Sequence, residues 1–297
     1  MDSTVRKIKN NFIIGDEWIY FKIYTGINIA DHIVHDVFYT VTEKLKAGGH
    51  IDKWFFIRYT DPDFHLRFRL HIAPAGNFGT IVSEINLVLN QLFAEKVIWK
   101  LQMDTYEREV DRYGDSIIDE AENIFYHDSV MISKTLPLLQ DDTTRWIFGL
   151  YCIDTFLDTF GYNLDGKKTF LAILKKDFQG EFKADMDLKK ALSQKFRTYR
   201  NNIMDYANQQ HGSKYEPLQL ALKHRGLEIK HSVPAVLDYG RERLDEFMAS
   251  YIHMTMNRLF RSNARRCELV VYDLLYNYYA MLHNTKKNIE PLTLVKQ

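Results

Sequence analysis

Residues 65–71 read His-Leu-Arg-Phe-Arg-Leu-His, an alternation of basic and apolar side chains that could bind an anion. Neighbouring side chains on a β-strand point to opposite faces, so the basic ones would share one face: His65, Arg67, Arg69 and His71. We call these four residues the ladder. Its two guanidinium groups would stand about 7 Å apart along a strand, close enough to bind a carboxylate and a developing oxyanion together. The spacing predicts an anion site, although the solvated outer face of a sheet would show the same pattern.

Two further segments carry side chains that could act in chemistry. Residues 106–114 contain Arg108, Arg112 and Tyr113 among alternating charges, which is typical of a binding site at a strand end but equally of a local salt-bridge lattice. In the helical pattern of residues 251–260, His253 and Asn257 stand four residues apart and would share one helix face. An isolated helical histidine is more often a structural, half-buried residue than a catalyst.

The elements that must position these side chains follow from periodicity. Alternation and β-branched or aromatic content predict strands over residues 18–24, 53–59, 64–72 and 97–105, with a helix over residues 29–45. The turn Thr60-Asp61-Pro62-Asp63 predicts that the second and third strands form a hairpin, which puts Arg58 on the strand beside the ladder.

Beyond Gly114 the pattern is almost entirely helical, with segments at residues 115–133, 142–162, 166–179, 186–210, 215–229, 234–261 and 264–284. In the first of these, the polar positions Glu120, Glu122, Asp128 and Ser129 are expected to be exposed or capping. We predict an α+β fold, an N-terminal antiparallel sheet with a larger C-terminal helical part. We treat residues 1–297 as a single domain, strand-rich over 1–113 and helical over 114–297.

Composition narrows the classes of function. Lys plus Arg and Asp plus Glu both total 39, so no net field would attract nucleic acid or an acidic membrane, and we expect neither nucleic-acid binding nor membrane insertion. The two cysteines and a polar N-terminus without a signal peptide favour the cytoplasm. Phosphate-binding loops, dinucleotide fingerprints, nucleophile elbows and metal-ligand spacings are absent from the sequence, so we expect no cofactor and no metal.

Taken together and in order, five segments resemble the glutamate-elimination domain of class I lantibiotic dehydratases, a family that also includes thiopeptide-type bacteriocin biosynthesis proteins. The segments carrying the resemblance are residues 18–24, 54–70, 106–114, 125–129 and 253–259. They extend over nearly the whole chain. One departure is Asp115, which follows Gly114 where the family commonly has a second glycine.

The resemblance implies a place in the modification of a ribosomally made precursor peptide. In full-length relatives, a larger N-terminal domain transfers glutamate from glutamyl-tRNA to Ser or Thr, and the C-terminal domain eliminates it to leave dehydroalanine or dehydrobutyrine. This chain is accordingly expected to lack the glutamylation domain and to be a stand-alone eliminase, a lyase. It would receive glutamylated peptide from a separate glutamylation-domain protein, and the resemblance allows a homodimer.

The resemblance also assigns roles to residues. His253 is expected to transfer the proton, while Arg67, Arg69 and either Arg108 or Arg112 bind the glutamyl group and stabilise negative charge. Five further side chains of these segments are expected to contact substrate: Arg58, His65, Tyr113, Asn257 and Arg258. Two alternatives stay open, namely a thiopeptide-type pyridine synthase, which performs a [4+2] cycloaddition and expels a leader peptide, and a non-catalytic module that binds the precursor peptide.

Overall fold

The computed structural model describes residues 8–208 and 214–289. Its strands all lie in the first part of the chain, and helices make up nearly all of the remainder, which confirms the predicted α+β class. The chain divides into two compact units, one comprising Met1–Pro137 with Glu228–Ser262 and the other Leu138–Leu227 with Asn263–Gln297. A single domain over 1–297 stays a prediction.

The elements are numbered in chain order. The strands are β1 (Asn11–Phe12), β2 (Trp18–Thr25), β3 (Ile51–Tyr59), β4 (His65–Ile72), β5 (Ile98–Met103) and β6 (Tyr106–Glu107). The helices of the first unit are α1 (Ala30–His32), a π-helix (Ile33–Tyr39), α2 (Thr40–Ala47), α3 (Phe78–Ala94), α4 (Val110–Tyr113), α5 (Ile118–Thr135), α10 (Val233–Gly240) and α11 (Leu244–Leu259). The remaining helices are α6 (Asp142–Thr159), α7 (Leu164–Glu181), α8 (Met186–Ala207), α9 (Glu216–Ile229) and α12 (Ala264–Ile289).

The main sheet is antiparallel, with strand order β3-β4-β2-β5. The hairpin of β3 and β4 forms as predicted, and its register sets Phe55 opposite Arg69 and Ile57 opposite Arg67. Leu66, Phe68 and Leu70 are fully buried on the other face, where Phe68 stacks on Phe38 of the π-helix. The ladder therefore occupies the face of the sheet opposite Leu66, Phe68 and Leu70.

Three elements differ from the expectations. The sequence analysis did not predict α3, which begins where the Asn77 side chain accepts from the Thr80 N–H and buries Ile81, Ile85 and Leu89 at helical spacing. The short pairing of β1 with β6 was also not predicted. The helix expected over 234–261 is interrupted at Gly240, where the Phe247 ring lies so close that a Cβ would overlap it.

Helix α5 is more deeply embedded than its polar residues suggested. Glu122, Asp128 and Ser129 are at most 2% exposed, so the expectation that they are exposed or capping was wrong. Each is buried because it has a partner in the first unit: Glu122 binds Arg108, Asp128 binds Arg258, and the Ser129 hydroxyl accepts from the Phe56 N–H. Pairing removes the penalty that burial would otherwise impose on these groups.

The outer edge of β3 is closed by side chains rather than by another strand. Asn257 of α11 accepts from the Arg58 N–H at 2.8 Å and donates to the Arg58 carbonyl at 2.9 Å. Arg258 Nε donates to the Phe56 carbonyl at 2.9 Å, and Ser129 accepts from the Phe56 N–H at 3.3 Å. We call Ser129, Asn257 and Arg258 the edge clamp. It satisfies backbone groups that an edge strand otherwise leaves open, and it fixes the position of α11 along β3.

The second unit consists of helices that are joined by buried polar contacts. Lys167 of α7 donates to Asp154 of α6 at 2.6 Å, and Asp154 also accepts from the Tyr279 hydroxyl of α12 at 2.6 Å. Arg225 of α9 is 1% exposed and donates to the Cys152 carbonyl at 2.8 Å. These contacts account for charged side chains inside an otherwise apolar bundle.

We expect Asn257→Ala to lower the free energy of unfolding by roughly 2 kcal/mol, because it leaves both backbone groups of Arg58 without their amide partner. Urea titration followed by circular dichroism measures the change. Asn201→Ala, at an exposed position of α8, is the matched control and should change the free energy by less than about 0.5 kcal/mol. Equal effects of the two substitutions would show that the contacts of Asn257 with Arg58 contribute nothing to stability.

Candidate functional site

A cavity lies against the ladder face of the sheet, within the first unit. Its apolar wall includes Phe55 of β3, Phe125 of α5 and Met254 of α11. Its polar lining comes from β4, from the segment around β6 and α4, and from α11: Arg69, Tyr106, Glu107, Glu109, Tyr113 and Arg258. The structure thus brings together side chains from all three segments that the sequence analysis selected.

Arg69 is a buried cation with aromatic neighbours. It is 7% exposed, and its guanidinium carbon lies 4.4 Å from the ring centroid of Tyr20, 4.7 Å from that of Tyr106 and 5.2 Å from that of Phe55. Among the described residues, no carboxylate forms an ion pair with Arg69 and its Nε has no hydrogen-bond acceptor. Burial lowers the pKa of Arg69, yet a guanidinium remains protonated at neutral pH. A negatively charged ligand would supply the anionic partner that the buried guanidinium group of Arg69 lacks.

Arg258 reaches the same cavity from the edge clamp. Its side chain is 1% exposed, and besides the Phe56 carbonyl it contacts Asp128, with Nη1 to Oδ2 at 3.2 Å. Its Nη2 has no acceptor in the described part of the chain. Burial lowers the pKa of Arg258, while Asp128 opposes that effect. Arg258 is therefore anchored on two sides and has a donor left over.

Two tyrosines of the cavity differ in their hydrogen bonding. The Tyr106 hydroxyl donates to Glu122 at 2.9 Å. The Tyr113 hydroxyl is buried and has no partner among residues 8–208 and 214–289. Burial raises the pKa of Tyr113 well above its usual range, so the phenol keeps its proton and can donate it in a hydrogen bond.

The two candidate arginines after β5 have different surroundings. Arg108 donates from Nε and Nη2 to the fully buried Glu122, at 2.7 and 2.6 Å, and also contacts Asp119. Arg112 is half-exposed and donates from Nε to the hydroxyl of Ser250, on α11, at 3.0 Å. Arg108 is thus fully engaged in an internal ion-pair network, whereas Arg112 lies beside the helix that carries His253.

The lower-numbered end of the ladder lies outside the cavity lining. Arg67 lies 3.4 Å from the Tyr59 ring centroid and donates from Nε to His65 Nε2 at 3.3 Å. His65 Nδ1 is 2.9 Å from the Asp63 carbonyl, an arrangement that requires a neutral ring with its proton on Nδ1. Burial is the main cause that lowers the pKa of His65, which agrees with the neutral form.

The other selected residues are not all gathered at the cavity. Arg58 pairs with Leu66 across the sheet, so it points to the face opposite the ladder, where it binds Asp31 at 2.6 Å. His71 binds Asp52 at 2.7 Å. His253 is half-buried and immediately precedes Met254, but it is outside the cavity lining, while Asn257 serves the edge clamp.

Sequence reasoning did not single out several lining residues. Glu107 and Glu109 lie in the predicted segment, but alternating charge gave no sign of which carboxylates face inward. Phe55 could have been found from the hairpin register, which places it opposite Arg69. In the described residues there is no group of three or more histidine, cysteine or acidic side chains arranged to hold a metal ion.

Comparison with known proteins identifies the family. The lantibiotic biosynthesis dehydratase C-terminal family matches residues 18–279. The chain belongs to this family.

The chain is similar to two curated proteins of lantibiotic biosynthesis. It is 25% identical over 258 residues to the subtilin biosynthesis protein SpaB of Bacillus subtilis, covering 82% of this chain and 24% of SpaB. It is also 25% identical over 273 residues to the nisin biosynthesis protein NisB of Lactococcus lactis subsp. lactis, covering 87% of this chain and 25% of NisB. The chain thus spans about a quarter of the length of these relatives.

Solved structures share the fold. The tRNA dependent lantibiotic dehydratase MibB from Microbispora sp. 107891 has a TM-score of 0.74 at 18% identity, over 92% of this chain and 29% of MibB. The pyridine synthase TbtD from thiomuracin biosynthesis has a TM-score of 0.61 at 13% identity, over 91% of this chain and 100% of TbtD. No helix within the described ranges combines the length and apolar character needed to cross a bilayer.

We expect Arg108→Ala to destabilise the protein by roughly 3 kcal/mol, because it leaves the carboxylate of Glu122 buried without its cation. Arg112→Ala is the matched variant and should cost less than about 1 kcal/mol, since this side chain is half-exposed. Urea titration of both variants measures the difference. Equal losses would mean that the Arg108 network is not a structural ion pair.

Stability should also depend on pH through His65. Because its pKa is lowered in the folded state, the folded protein binds this proton less readily than the unfolded chain, and the His65 contribution falls as pH drops below the ordinary value of 6.5. Urea titrations at pH 7.5 and 5.5 should show a smaller acid-induced loss for His65→Gln than for wild type. An unchanged acid loss in His65→Gln would contradict the neutral state.

Proposed function

We propose that this chain is a glutamate eliminase, acting on a ribosomal precursor peptide whose Ser or Thr residues carry O-glutamyl esters. The observation that supports this most is the cavity, where Arg69, Arg258 and Tyr113 present buried donors with no acceptor among the described residues. Such donors are suited to a ligand that carries negative charge. The family to which the chain belongs makes a peptide the expected substrate.

The reaction makes three demands on a site. A base removes the Cα proton of the modified residue, the electrons form the Cα–Cβ double bond, and the Cβ–O bond breaks to release glutamate as a carboxylate. Negative charge develops on the peptide carbonyl as the proton leaves, and hydrogen-bond donors or cations lower its energy. The departing glutamate also carries a side-chain carboxylate that needs a cationic partner.

The donors of the cavity suit the second and third demands. Arg69 keeps its charge in a region with aromatic walls and little solvent, where an ionic contact is stronger than in water. Arg258 and the Tyr113 hydroxyl add further donors to the same cavity. Arg112 donates a hydrogen bond to Ser250 of α11, the helix that also carries Arg258. We assign Arg69, Arg258 and Tyr113 to binding the glutamyl carboxylate and the developing oxyanion, with Arg67 and Arg112 as outer cations.

We assign proton transfer to His253. It lies on α11 beside Met254, which lines the cavity, and the edge clamp fixes this helix on β3. A histidine can accept and return a proton near neutral pH. We include in the proposal that a separate protein attaches the glutamate, since elimination needs an already glutamylated peptide.

We expect this protein alone to release glutamic acid from a Ser-glutamylated precursor peptide, leaving a dehydroalanine in place of each ester. Mass spectrometry over time measures the conversion. Arg69→Ala should slow elimination by roughly 10²–10³-fold through lost charge stabilisation. His253→Ala should slow it by roughly 10²–10⁴-fold through lost proton transfer.

The controls are an arginine and a histidine at exposed positions, Arg200→Ala and His32→Ala, which should convert the peptide at the wild-type rate. Peptide that stays glutamylated with folded wild-type protein would overturn the proposal. A dehydrated, azole-bearing peptide should then be tried, because conversion of that substrate would identify a pyridine synthase and binding without conversion a peptide-binding module.

A further inference from the structure

We propose that the outer edge of β5 is a docking site for an extended peptide segment in which apolar and acidic side chains alternate, and that this segment pairs with β5 as an additional antiparallel strand. The inference rests on the proposed function for the identity of the segment, a part of the precursor peptide outside the esters. The site belongs to the first unit and shares no lining residue with the cavity described above.

The backbone of β5 offers the hydrogen bonds for such a strand. β5 ends the main sheet, and no strand in the described part of the chain pairs with its outer edge. The Asp104 N–H donates to the Tyr20 carbonyl of β2, so the backbone groups of Met103 and Leu101 point away from β2 by the alternation of an antiparallel ladder. The edge clamp closes the β3 edge, but no described side chain makes a comparable contact with Met103 or Leu101. β5 can therefore accept a further strand.

A groove beside this edge exposes apolar surface. One side of the groove is a single face of α3, formed by Asn86, Leu89, Asn90 and Phe93 at helical spacing, and the other is β5. Phe93 is 51% exposed and Trp99 of β5 is 52% exposed. Edge strands of natural proteins are commonly covered or protected by charges, so an apolar groove at an open edge is typical of an interaction surface.

The charges at the edge favour an acidic occupant. β5 contains Lys100 and no acidic residue, and Lys96 precedes it. Neither lysine has a carboxylate partner among the residues that the structure describes: Lys100 lies 4.9 Å from the Tyr24 ring centroid, and Glu95 accepts from Gln91. A second copy of β5 would bring the same cations to the edge without a carboxylate, whereas an acidic peptide supplies the missing partners.

Antiparallel pairing determines which side chains of the peptide meet which part of the edge. Peptide residues opposite Leu101 and Met103 would direct their backbone N–H and C=O groups at β5. Their side chains would share the face of Leu101, which the register places beside Ile23 and hence Leu66. A peptide residue opposite Lys100 would direct its N–H to solvent and its side chain to the lysine. Apolar residues therefore suit the first positions and acidic residues the second.

The test uses a capped peptide of about seven residues, long enough to span β5, in which valine alternates with glutamate. Isothermal titration with the full chain should show binding, and a matched peptide in which valine alternates with lysine should bind roughly ten-fold more weakly. Lys100→Glu should reverse this preference. Lys189→Glu is the same charge change at an exposed position of α8 and should leave the preference unchanged.

Main-chain pairing is tested by N-methylation of the valine-glutamate peptide. Methyl groups on the valine nitrogens block the N–H groups directed at β5 and should weaken binding by about ten-fold or more, whereas methyl groups on the glutamate nitrogens should have little effect. Leu101→Pro removes an outward N–H and keeps the ladder with β2, so it should weaken binding by a similar factor. Equal effects of the two methylations on wild-type protein would overturn strand pairing, whether or not Leu101→Pro folds.

The remaining outcomes separate this inference from the proposed function. If the valine-glutamate peptide does not bind, the docking site is wrong even where glutamylated peptides are eliminated. Binding of the peptide without any elimination would sink the proposed function and leave the docking site standing. With a glutamylated precursor peptide, Lys100→Glu should raise KM and keep kcat, and an unchanged KM would overturn the assignment of the segment to the precursor. A dimer in sedimentation that Leu101→Pro dissociates, with no peptide binding, would assign the edge to a second copy instead.

Discussion

The closure of the β3 edge by side chains is the constraint on which the rest of this region depends. An edge strand exposes unpaired backbone groups, and here Ser129, Asn257 and Arg258 satisfy those of Phe56 and Arg58. Because these contacts repeat along the strand, α11 cannot slide relative to β3 without losing several hydrogen bonds at once. The position of α11 in turn sets how far Arg258 and Met254 enter the cavity. A backbone requirement of the fold thereby determines where a guanidinium group meets the ladder face.

The electrostatics of the region separate two kinds of buried arginine. Arg58 and Arg108 are neutralised internally, by Asp31 and by Glu122 with Asp119. Arg69 is surrounded by aromatic rings, which attract a cation more weakly than a carboxylate does. Burying a charge with so little compensation is unfavourable for the empty protein. The same feature makes the cavity receptive to an anion, since the free energy of burying Arg69 has already been paid in folding.

The sequence predicted those features that depend on local spacing. Strict alternation in residues 64–72 gave the ladder strand and its two faces, and the Pro62 turn gave the hairpin. Features that depend on distant partners could not be predicted, because Arg258 meets Asp128 and Arg58 meets Asp31 across long stretches of chain. The burial of Glu122 followed from the same kind of pairing. The helix break at Gly240 results from the approach of Phe247, which no local propensity encodes.

A count of the basic residues in the selected segments would therefore have overestimated how many of them can bind an anion. The sequence alone does not distinguish these arginines, but their neighbours in the structure do. Arg58 and Arg108 form structural ion pairs, Arg67 and Arg112 form an outer group, and Arg69 and Arg258 line the cavity. What distinguishes the last pair is that both side chains line the cavity and that each also has a buried donor for which no described residue supplies an acceptor. Proteins of one fold can differ in chemistry when such unused groups differ, since they are the ones a ligand can engage. The buried donors without an acceptor are therefore a better guide to the reaction of this chain than the number of its charged residues.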